Sequence, residues 1–208
     1  EIDLKGASIK NLELKDFFQE KGEDALVKVF NTDSKNPMMF DAGWLAQSAK
    51  VPNAETLWTV DSENADSVVL KFNNQDGLTF YRTFLFNDSF TINIEDKVIN
   101  NTIDSIKMAQ YSQLHHIGER ESRLANSFTN YTGPQAIVEN EVIHADYSKL
   151  QDNEDFTAQG KNAWAGITKM YFASAIIPDN TQNNTVKFKY TKIADQNYYT
   201  ALVRSDVK

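Results

Sequence analysis

Hydrophobic positions along this chain alternate with polar ones at a period of two, which is typical of β-strands with one buried face. The longest example covers residues 78–86, whose even positions carry Leu78, Phe80, Arg82, Phe84 and Phe86. After a polar turn at residues 87–89, residues 90–98 alternate in the same way. We therefore predict an antiparallel hairpin, with a third strand at residues 106–114 that continues the same sheet as a meander.

Shorter runs that alternate or contain β-branched and aromatic residues predict further strands around this sheet. These runs cover residues 8–16, 25–30, 56–60, 67–73, 135–138, 142–145, 171–177, 185–191 and 198–204. Helical patterns are limited to residues 42–49, with two predicted turns, and residues 146–152, with one. The pattern indicates an all-β sandwich. Since the polar loops are too short to be linkers, we expect a single domain over residues 1–208.

Composition and charge exclude several classes of protein. The chain has 21 basic and 29 acidic residues and a net charge of −8, whereas a nucleic-acid-binding protein needs a clustered cationic face. It has no cysteine, which excludes disulfides, thiolate nucleophiles and cysteine-ligated metal sites.

The longest apolar run, at residues 171–177, is far shorter than a membrane-spanning helix requires. Because the chain begins at Glu1 without a signal segment, we expect a domain excised from a longer protein.

The three histidines are the first candidates for chemistry. His115 and His116 are adjacent in a predicted strand, so their side chains point to opposite faces and cannot bind one metal ion without a bulge. His144 is distant in sequence. A metal site of two histidines and a carboxylate would therefore form only if the tertiary fold happened to bring these distant residues together. Histidines that are solvated or packed in the core are the simpler interpretation. We assign no metal site.

A dense charge run at residues 118–123 follows the histidine pair. Its paired carboxylates, Glu119 and Glu121, are of the type that serves glycoside hydrolysis. Alternating glutamate and arginine is more typical of a solvated patch that neutralises itself. Nucleophile elbows, phosphate-binding loops and dinucleotide fingerprints are absent from the sequence. The sequence therefore predicts no catalytic residue and no cofactor-binding residue.

The aromatic residues are the remaining candidates for ligand contact. Trp44, Trp58 and Trp164, with 13 phenylalanines and 8 tyrosines, have the flat rings that line sugar-binding or peptide-binding grooves. A sandwich also needs bulky residues on its inward faces. For any one aromatic residue we therefore favour packing in the core over contact with a ligand.

The most specific block of the sequence covers residues 164–178. Its distinctive residues are Trp164, Gly166, Ile167, Thr168, Tyr171 and Pro178. The block is similar to a pattern in the large periplasmic domain of the YidC membrane-protein insertases of Gram-negative bacteria. Ala163 stands where that family usually has glycine, and Lys169 and Met170 replace its usual aspartate and lysine. We expect a structural role for the block, because Trp164 and Ile167 can bury against a sheet, Gly166 permits close backbone approach and Pro178 ends a strand.

The resemblance extends over nearly the whole chain. Residues 4–17, 57–60, 77–84 and 98–101 resemble other blocks of the same family and follow in the same order. This resemblance implies a β-supersandwich of packed antiparallel sheets with little helix, similar in architecture to galactose mutarotase.

The resemblance also implies a function. It predicts a noncatalytic accessory domain without a cofactor, which acts as a binding or docking platform in the insertion and folding of inner-membrane proteins. The implied partners are SecDF and other components of the Sec translocon, together with nascent membrane-protein segments. The implied location is the periplasmic face of the bacterial inner membrane, with tethering through segments outside this sequence. A sheet edge and a concave aromatic face are both open as docking modes.

The alternative is a carbohydrate-binding or mutarotase-like sugar-active domain. It would use His115, His116 and His144 with nearby carboxylates as acid and base groups. Such chemistry needs a histidine and a carboxylate at hydrogen-bond distance, and the predicted strands bring no such pair together on one face. Fold analogy alone does not support the assignment.

Overall fold

The computed structural model describes residues 1–22, 24–32, 34, 37–118, 131–152, 155–169 and 171–208. Within them the chain forms seventeen strands and one short helix. In chain order these are β1 (Ile2–Asp3), β2 (Ser8–Ile9), β3 (Leu12–Phe18), β4 (Leu26–Phe30), β5 (Met38–Ala46), β6 (Thr59–Glu63), β7 (Ser67–Asn73), β8 (Leu78–Phe86), β9 (Ile92–Asn100), β10 (Met108–Ile117), β11 (Gly133–Val138), β12 (Glu141–His144), α1 (Tyr147–Gln151), β13 (Phe156–Gly160), β14 (Trp164–Thr168), β15 (Ala173–Ile176), β16 (Asn184–Ile193) and β17 (Gln196–Ser205). The expected all-β architecture of packed antiparallel sheets with little helix is confirmed.

The largest sheet, here called the main sheet, has seven strands in the order β1-β2-β5-β10-β17-β16-β13. Its neighbouring strands are all antiparallel. One face, the inner face, carries buried apolar side chains because these residues occupy every second position of each strand. Its central members are Phe40, Ala42, Trp44, Leu114, Phe188, Ala201 and Val203.

Two smaller sheets and a hairpin complete the fold. The meander sheet has the order β6-β7-β8-β9, the small sheet has the order β12-β11-β14-β15, and β3 pairs with β4 alone. The meander sheet packs on the inner face of the main sheet through Trp44, whose ring centroid lies 5.0 Å from that of Phe80 and 6.0 Å from that of Trp58. The small sheet contacts the inner face elsewhere, where β14 lies against β17. The two smaller sheets therefore cover different parts of one face.

The predicted strand pattern is confirmed for most segments, and the hairpin of β8 and β9 pairs from Leu78 with Asn100 to Phe86 with Ile92. The three-stranded meander is wrong in one respect. The third long strand, β10, leaves this sheet and lies between β5 and β17 at the centre of the main sheet. Residues 8–16 are likewise divided between β2 of the main sheet and β3 of the separate hairpin.

The helix predicted over residues 42–49 is also wrong, while the helical turn near 146–152 is confirmed as α1. Residues up to Ala46 belong to β5, which β10 pairs along its whole length. Met38, Phe40, Ala42 and Trp44 are buried on one face of β5, whereas Leu45 points outward and is exposed. The alternation therefore continues through this segment. Its alanine and glycine residues reflect close packing rather than helix propensity.

A buried ion pair joins the meander sheet to the main sheet. Arg82 on β8 is fully buried, and its Nε and Nη2 donate to the two carboxylate oxygens of Asp96 on β9 at 2.8 and 2.9 Å. Its Nη1 donates to the carbonyl oxygens of Ala42 and Ala7 at 2.9 and 3.1 Å. The guanidinium carbon also lies 5.1 Å from the ring centroid of Trp44. Arg82 thus occupies a core position of an apolar strand face because every polar contact it needs is supplied there.

We expect replacement of Gly166 by alanine to lower the free energy of unfolding by about 2 kcal/mol. Gly166 lies in β14, and a Cβ atom there would sit 2.3 Å from the carbonyl oxygen of Ser174 and 3.0 Å from the Cα of Ala175 in β15. Backbone atoms of a paired strand cannot move aside cheaply. Urea denaturation with the Gly22→Ala variant as control measures the effect. Gly22 has open space around it and a φ of 90°, so the control is expected to lose only about 1 kcal/mol. Equal losses would contradict the steric explanation.

Candidate binding groove

A large groove lies where the meander sheet ends and the small sheet begins. Its volume is about 1220 Å³, more than the usual range for a small-molecule site. The floor is the inner face of the main sheet, with Ser112 and Leu114 of β10 and Val203 of β17. Three walls enclose it: β3, the start of β9 with the loop before it, and β15 with the segment that follows. The groove exists because the two smaller sheets do not meet over the shared inner face.

The three walls are built from strands at sheet edges. β9 is the last strand of the meander sheet, β15 is the last strand of the small sheet, and β3 pairs only with β4. Each strand therefore has one side without a strand partner among the described residues. Such a side presents backbone N–H and C=O groups that an added strand can pair with.

Aromatic side chains cluster at the groove and join its three walls. Phe17 of β3 makes edge-to-face contacts with Phe90 of the loop before β9 and with Phe172 ahead of β15, at centroid distances of 6.0 and 5.7 Å. Phe90 is 80% exposed. Exposed aromatic residues gathered at the rim of a groove are typical of an interaction site rather than of a solvated surface.

The charges that line the groove are mainly acidic. The acidic lining residues are Glu13, Asp16, Asp88, Asp96 and Asp179, and Lys15 is the one basic lining residue in the part of the chain that is described. Asp96 is neutralised by Arg82, and Glu13 lies 3.4 Å from Lys28. Hydrogen bonds from the backbone and side chain of Thr181 lower the pKa of Asp179, so this carboxylate is ionised at neutral pH.

His115 lies on the opposite, outer face of the main sheet. Its Nε2 is 2.9 Å from Oδ2 of Asp41, and its Nδ1 is 2.9 Å from Oγ1 of Thr200. The expectation that no face brings a histidine and a carboxylate together is therefore wrong, because β5 and β10 pair in a register that the sequence does not reveal. Gln113 donates to the other oxygen of Asp41 at 2.7 Å. His115 therefore belongs to a hydrogen-bond network with Asp41, Gln113 and Thr200 that lies outside the groove lining.

The other two histidines lie elsewhere. His116 points to the inner face, so the two adjacent histidines lie on opposite faces as predicted, and it is buried with its ring 5.8 Å from that of Tyr147 and 6.2 Å from that of Tyr199. His144 is exposed on β12 and packs edge-on against Tyr131. Among the described residues no group of three or more histidine, aspartate or glutamate side chains could hold a metal ion. Glu119 and Glu121 lie outside the described residues.

The residues of the specific block occupy β14 and the segment after it. Ile167 is fully buried and Trp164 is half-buried. Gly166 approaches the backbone of β15, and Thr168 accepts a hydrogen bond from Gln135. Tyr171 is 81% exposed, and Pro178, after the end of β15, lines the groove.

The three tryptophans divide between the core and a half-buried position. Trp44 and Trp58 are buried at 5% and 2% exposure and pack between the sheets, as expected for most aromatic residues. None of the three lines the groove. The aromatic cluster at the groove consists of Phe17, Phe90 and Phe172 instead. Their separation in sequence leaves no local signal that they meet.

Comparison with known proteins identifies the family. The family model described as the YidC periplasmic domain matches residues 1–208 of this chain. The chain belongs to this family. Curated relatives named membrane protein insertase YidC include that of Rickettsia bellii, 28% identical over 91% of this chain, and that of Maricaulis maris, 23% identical over 90%. The relative from Pelagibacter ubique is 23% identical over 95% of this chain.

Membership of the YidC periplasmic domain family confirms the expected resemblance and the periplasmic location at the inner membrane. The chain spans about a third of the length of these relatives, at 35%, 33% and 36% of each. No described segment forms a helix with the length and apolarity needed to cross a bilayer.

Proposed function

We propose that this YidC periplasmic domain is a noncatalytic platform that binds extended polypeptide segments in the groove. The observation that carries the proposal is that three edge strands, β3, β9 and β15, border a single groove. A segment lying there in extended form would pair its backbone with an edge strand and place alternate side chains against the apolar walls. Backbone pairing makes few demands on sequence, as suits a platform that meets many different membrane proteins.

The position of the histidine–carboxylate pair supports a noncatalytic role. The one histidine–carboxylate pair described on the sheet faces, His115 with Asp41, has both of its ring nitrogens bonded within the sheet. This pair lies on the outer face of the main sheet, and none of His115, Asp41 and Thr200 lines the groove. The sugar-active alternative therefore has no histidine in the groove lining within the described part of the chain.

The occupants we propose are segments of nascent membrane proteins, and the docking partners are SecDF and other Sec components. A full-length insertase that carries this domain can be crosslinked in cells with and without residues 1–208. We expect recovery of SecDF and of nascent chains to fall when the domain is deleted. Unchanged recovery of both would contradict the platform role and favour a structural spacer.

Binding by strand addition predicts sensitivity to backbone methylation. We use capped peptides of about nine residues that alternate valine and glutamine, matched to the length of a typical strand. N-methylation at the alternate positions that face the edge strand should weaken binding to the 208-residue chain at least tenfold, because several backbone hydrogen bonds are lost. Methylation of the intervening positions is the matched control. Isothermal titration calorimetry measures both, and equal affinities of the two methylated forms would contradict strand addition.

A further inference from the structure

Each wall of the groove presents an acidic side chain next to a large apolar one. The pairs are Asp16 with Phe17, Asp88 with Phe90, and Asp179 with Ile177. All three carboxylates are exposed, and so are Phe17, Phe90 and Ile177. The same combination of an exposed apolar surface and a negative charge therefore recurs on three unrelated segments that meet only in the folded chain.

These three carboxylates have no ion-pair partner among the described residues. The other two acidic lining residues are matched, Glu13 by Lys28 and Asp96 by Arg82. The positive charge of Lys208 acts on Asp179 only through a Coulombic interaction without a contact, and Lys208 does not line the groove. Since the whole chain carries a net charge of −8, the field around the groove is also negative at longer range. The rim thus carries three unpaired carboxylates against the single positive charge of Lys15 within the described part of the chain.

Two amide oxygens beneath Asp179 also lack hydrogen-bond donors within the described part of the chain. Asn184 is 1% exposed and lines the groove, and its Oδ1 accepts no hydrogen bond. Its Nδ2 donates to the carbonyl oxygens of Asp179 and Gln182, at 3.0 and 3.1 Å, which holds these residues together. Oε1 of Gln182 is likewise buried without a donor. Gln182 is partly exposed, and both residues line the groove.

We infer that the groove selects extended segments in which lysine or arginine side chains alternate with apolar ones. The inference rests on the proposed function and adds the class of segment. The apolar side chains would pack on Phe17, Phe90 and Ile177. The cationic side chains would pair with the adjacent carboxylates, and one of them would donate to the amide oxygens beneath Asp179.

A metal ion is a poorer match for this charge. The three acidic residues come from separate walls, and no group of three potential metal ligands is found among the described residues. An acidic segment would meet like charges on all three walls. A basic and apolar polypeptide satisfies both the carboxylates and the exposed rings, so it is the occupant that the lining favours.

The test compares three capped peptides of about nine residues in which valine alternates with lysine, glutamine or glutamate. Calorimetry with the 208-residue chain at low salt should give the lysine peptide an affinity about tenfold higher than that of the glutamine peptide. The glutamate peptide should bind more weakly than both. The preference for lysine should shrink at high salt, because these carboxylates are exposed and screened.

A variant with fewer negative charges distinguishes the effect of the three rim carboxylates on affinity from the effect of the net charge of the chain. In the Asp16→Asn, Asp88→Asn, Asp179→Asn triple variant, the lysine peptide should bind about tenfold more weakly, close to the glutamine peptide, whose own affinity should be unchanged. The matched control replaces three exposed aspartates outside the groove that also have no ion-pair partner among the described residues, in Asp66→Asn, Asp104→Asn, Asp195→Asn. Both variants change the net charge from −8 equally.

The outcomes distinguish this inference from the proposed function. If the glutamine and lysine peptides bind equally, the selection for basic segments is overturned while binding of extended segments stands. If the control variant weakens the lysine peptide as much as the groove variant does, total charge and not the rim is responsible, and the inference is again overturned. If no peptide binds, the proposed function itself fails. Lysine selection that only the groove variant removes supports the inference.

Discussion

Replacement of Arg82 by methionine is expected to lower the free energy of unfolding by about 3–5 kcal/mol. The side chains of Arg82 and Asp96 are 0% and 3% exposed, so removing the guanidinium leaves a buried carboxylate without its countercharge. Gln110 still donates to Asp96 at 2.7 Å, but a single neutral donor cannot compensate for the lost charge. The contacts to the carbonyl oxygens of Ala42 and Ala7 are lost as well. Urea denaturation at neutral pH measures the change.

Two further variants identify the cause of that loss. In Arg82→Met with Asp96→Leu, no charge remains buried, and most of the stability should return because an apolar pair of similar volume replaces the ion pair. Lys71→Met removes the exposed partner of Asp61, 3.6 Å away, and should change the unfolding free energy far less than Arg82→Met does, because an exposed ion pair is screened by solvent. A double variant as unstable as Arg82→Met would show that packing and hydrogen bonds, rather than the unpaired charge, dominate.

Filling the groove from its floor is expected to weaken peptide binding at least tenfold, measured by calorimetry with the valine–lysine peptide. Ser112 is half-buried on the inner face of β10, where it pairs with Ala42 of β5 and Val203 of β17. In the Ser112→Trp variant the indole would occupy space that lies open between the walls. Because the added ring enters the groove and not the packed core, the unfolding free energy should stay within about 1 kcal/mol of the parent.

The matched control is Thr157→Trp on β13. Thr157 is exposed on the outer face of the main sheet and pairs with Lys187, so the control adds the same ring to the same sheet outside the groove. Its peptide affinity should equal that of the parent. Unchanged affinity in Ser112→Trp would place the peptide elsewhere on the domain and would contradict the groove as the binding site.

Much of the secondary structure could be predicted because alternation is a local property. Strands β7 and β8 coincide with the predicted residues 67–73 and 78–86, since their buried faces repeat every second residue. The same logic failed at residues 42–49, where alanine and glycine conceal the alternation that Met38 and Phe40 begin. It also placed β10 in the wrong sheet, because alternation says which face is buried but not which strand lies alongside.

Much less of the candidate groove could be predicted from the sequence. The family block at residues 164–178 marks β14, β15 and a stretch of wall, but the aromatic contacts join Phe17, Phe90 and Phe172 from three separate walls. Nothing local in the sequence sets these phenylalanines apart from the others. The acid–apolar pairs at the rim are each ordinary in sequence and become a pattern only when the walls meet.

The sequence by itself determined that this chain is an all-β domain of the YidC periplasmic family, because strand periodicity and ordered sequence blocks are local properties. The tertiary structure decided where the groove lies, which strand edges it exposes and where Arg82 finds its partners. These depend on the register between β5 and β10 and on how far the meander sheet and the small sheet extend over one shared face. Long-range strand pairing is a property of the whole chain, so no segment carries it alone.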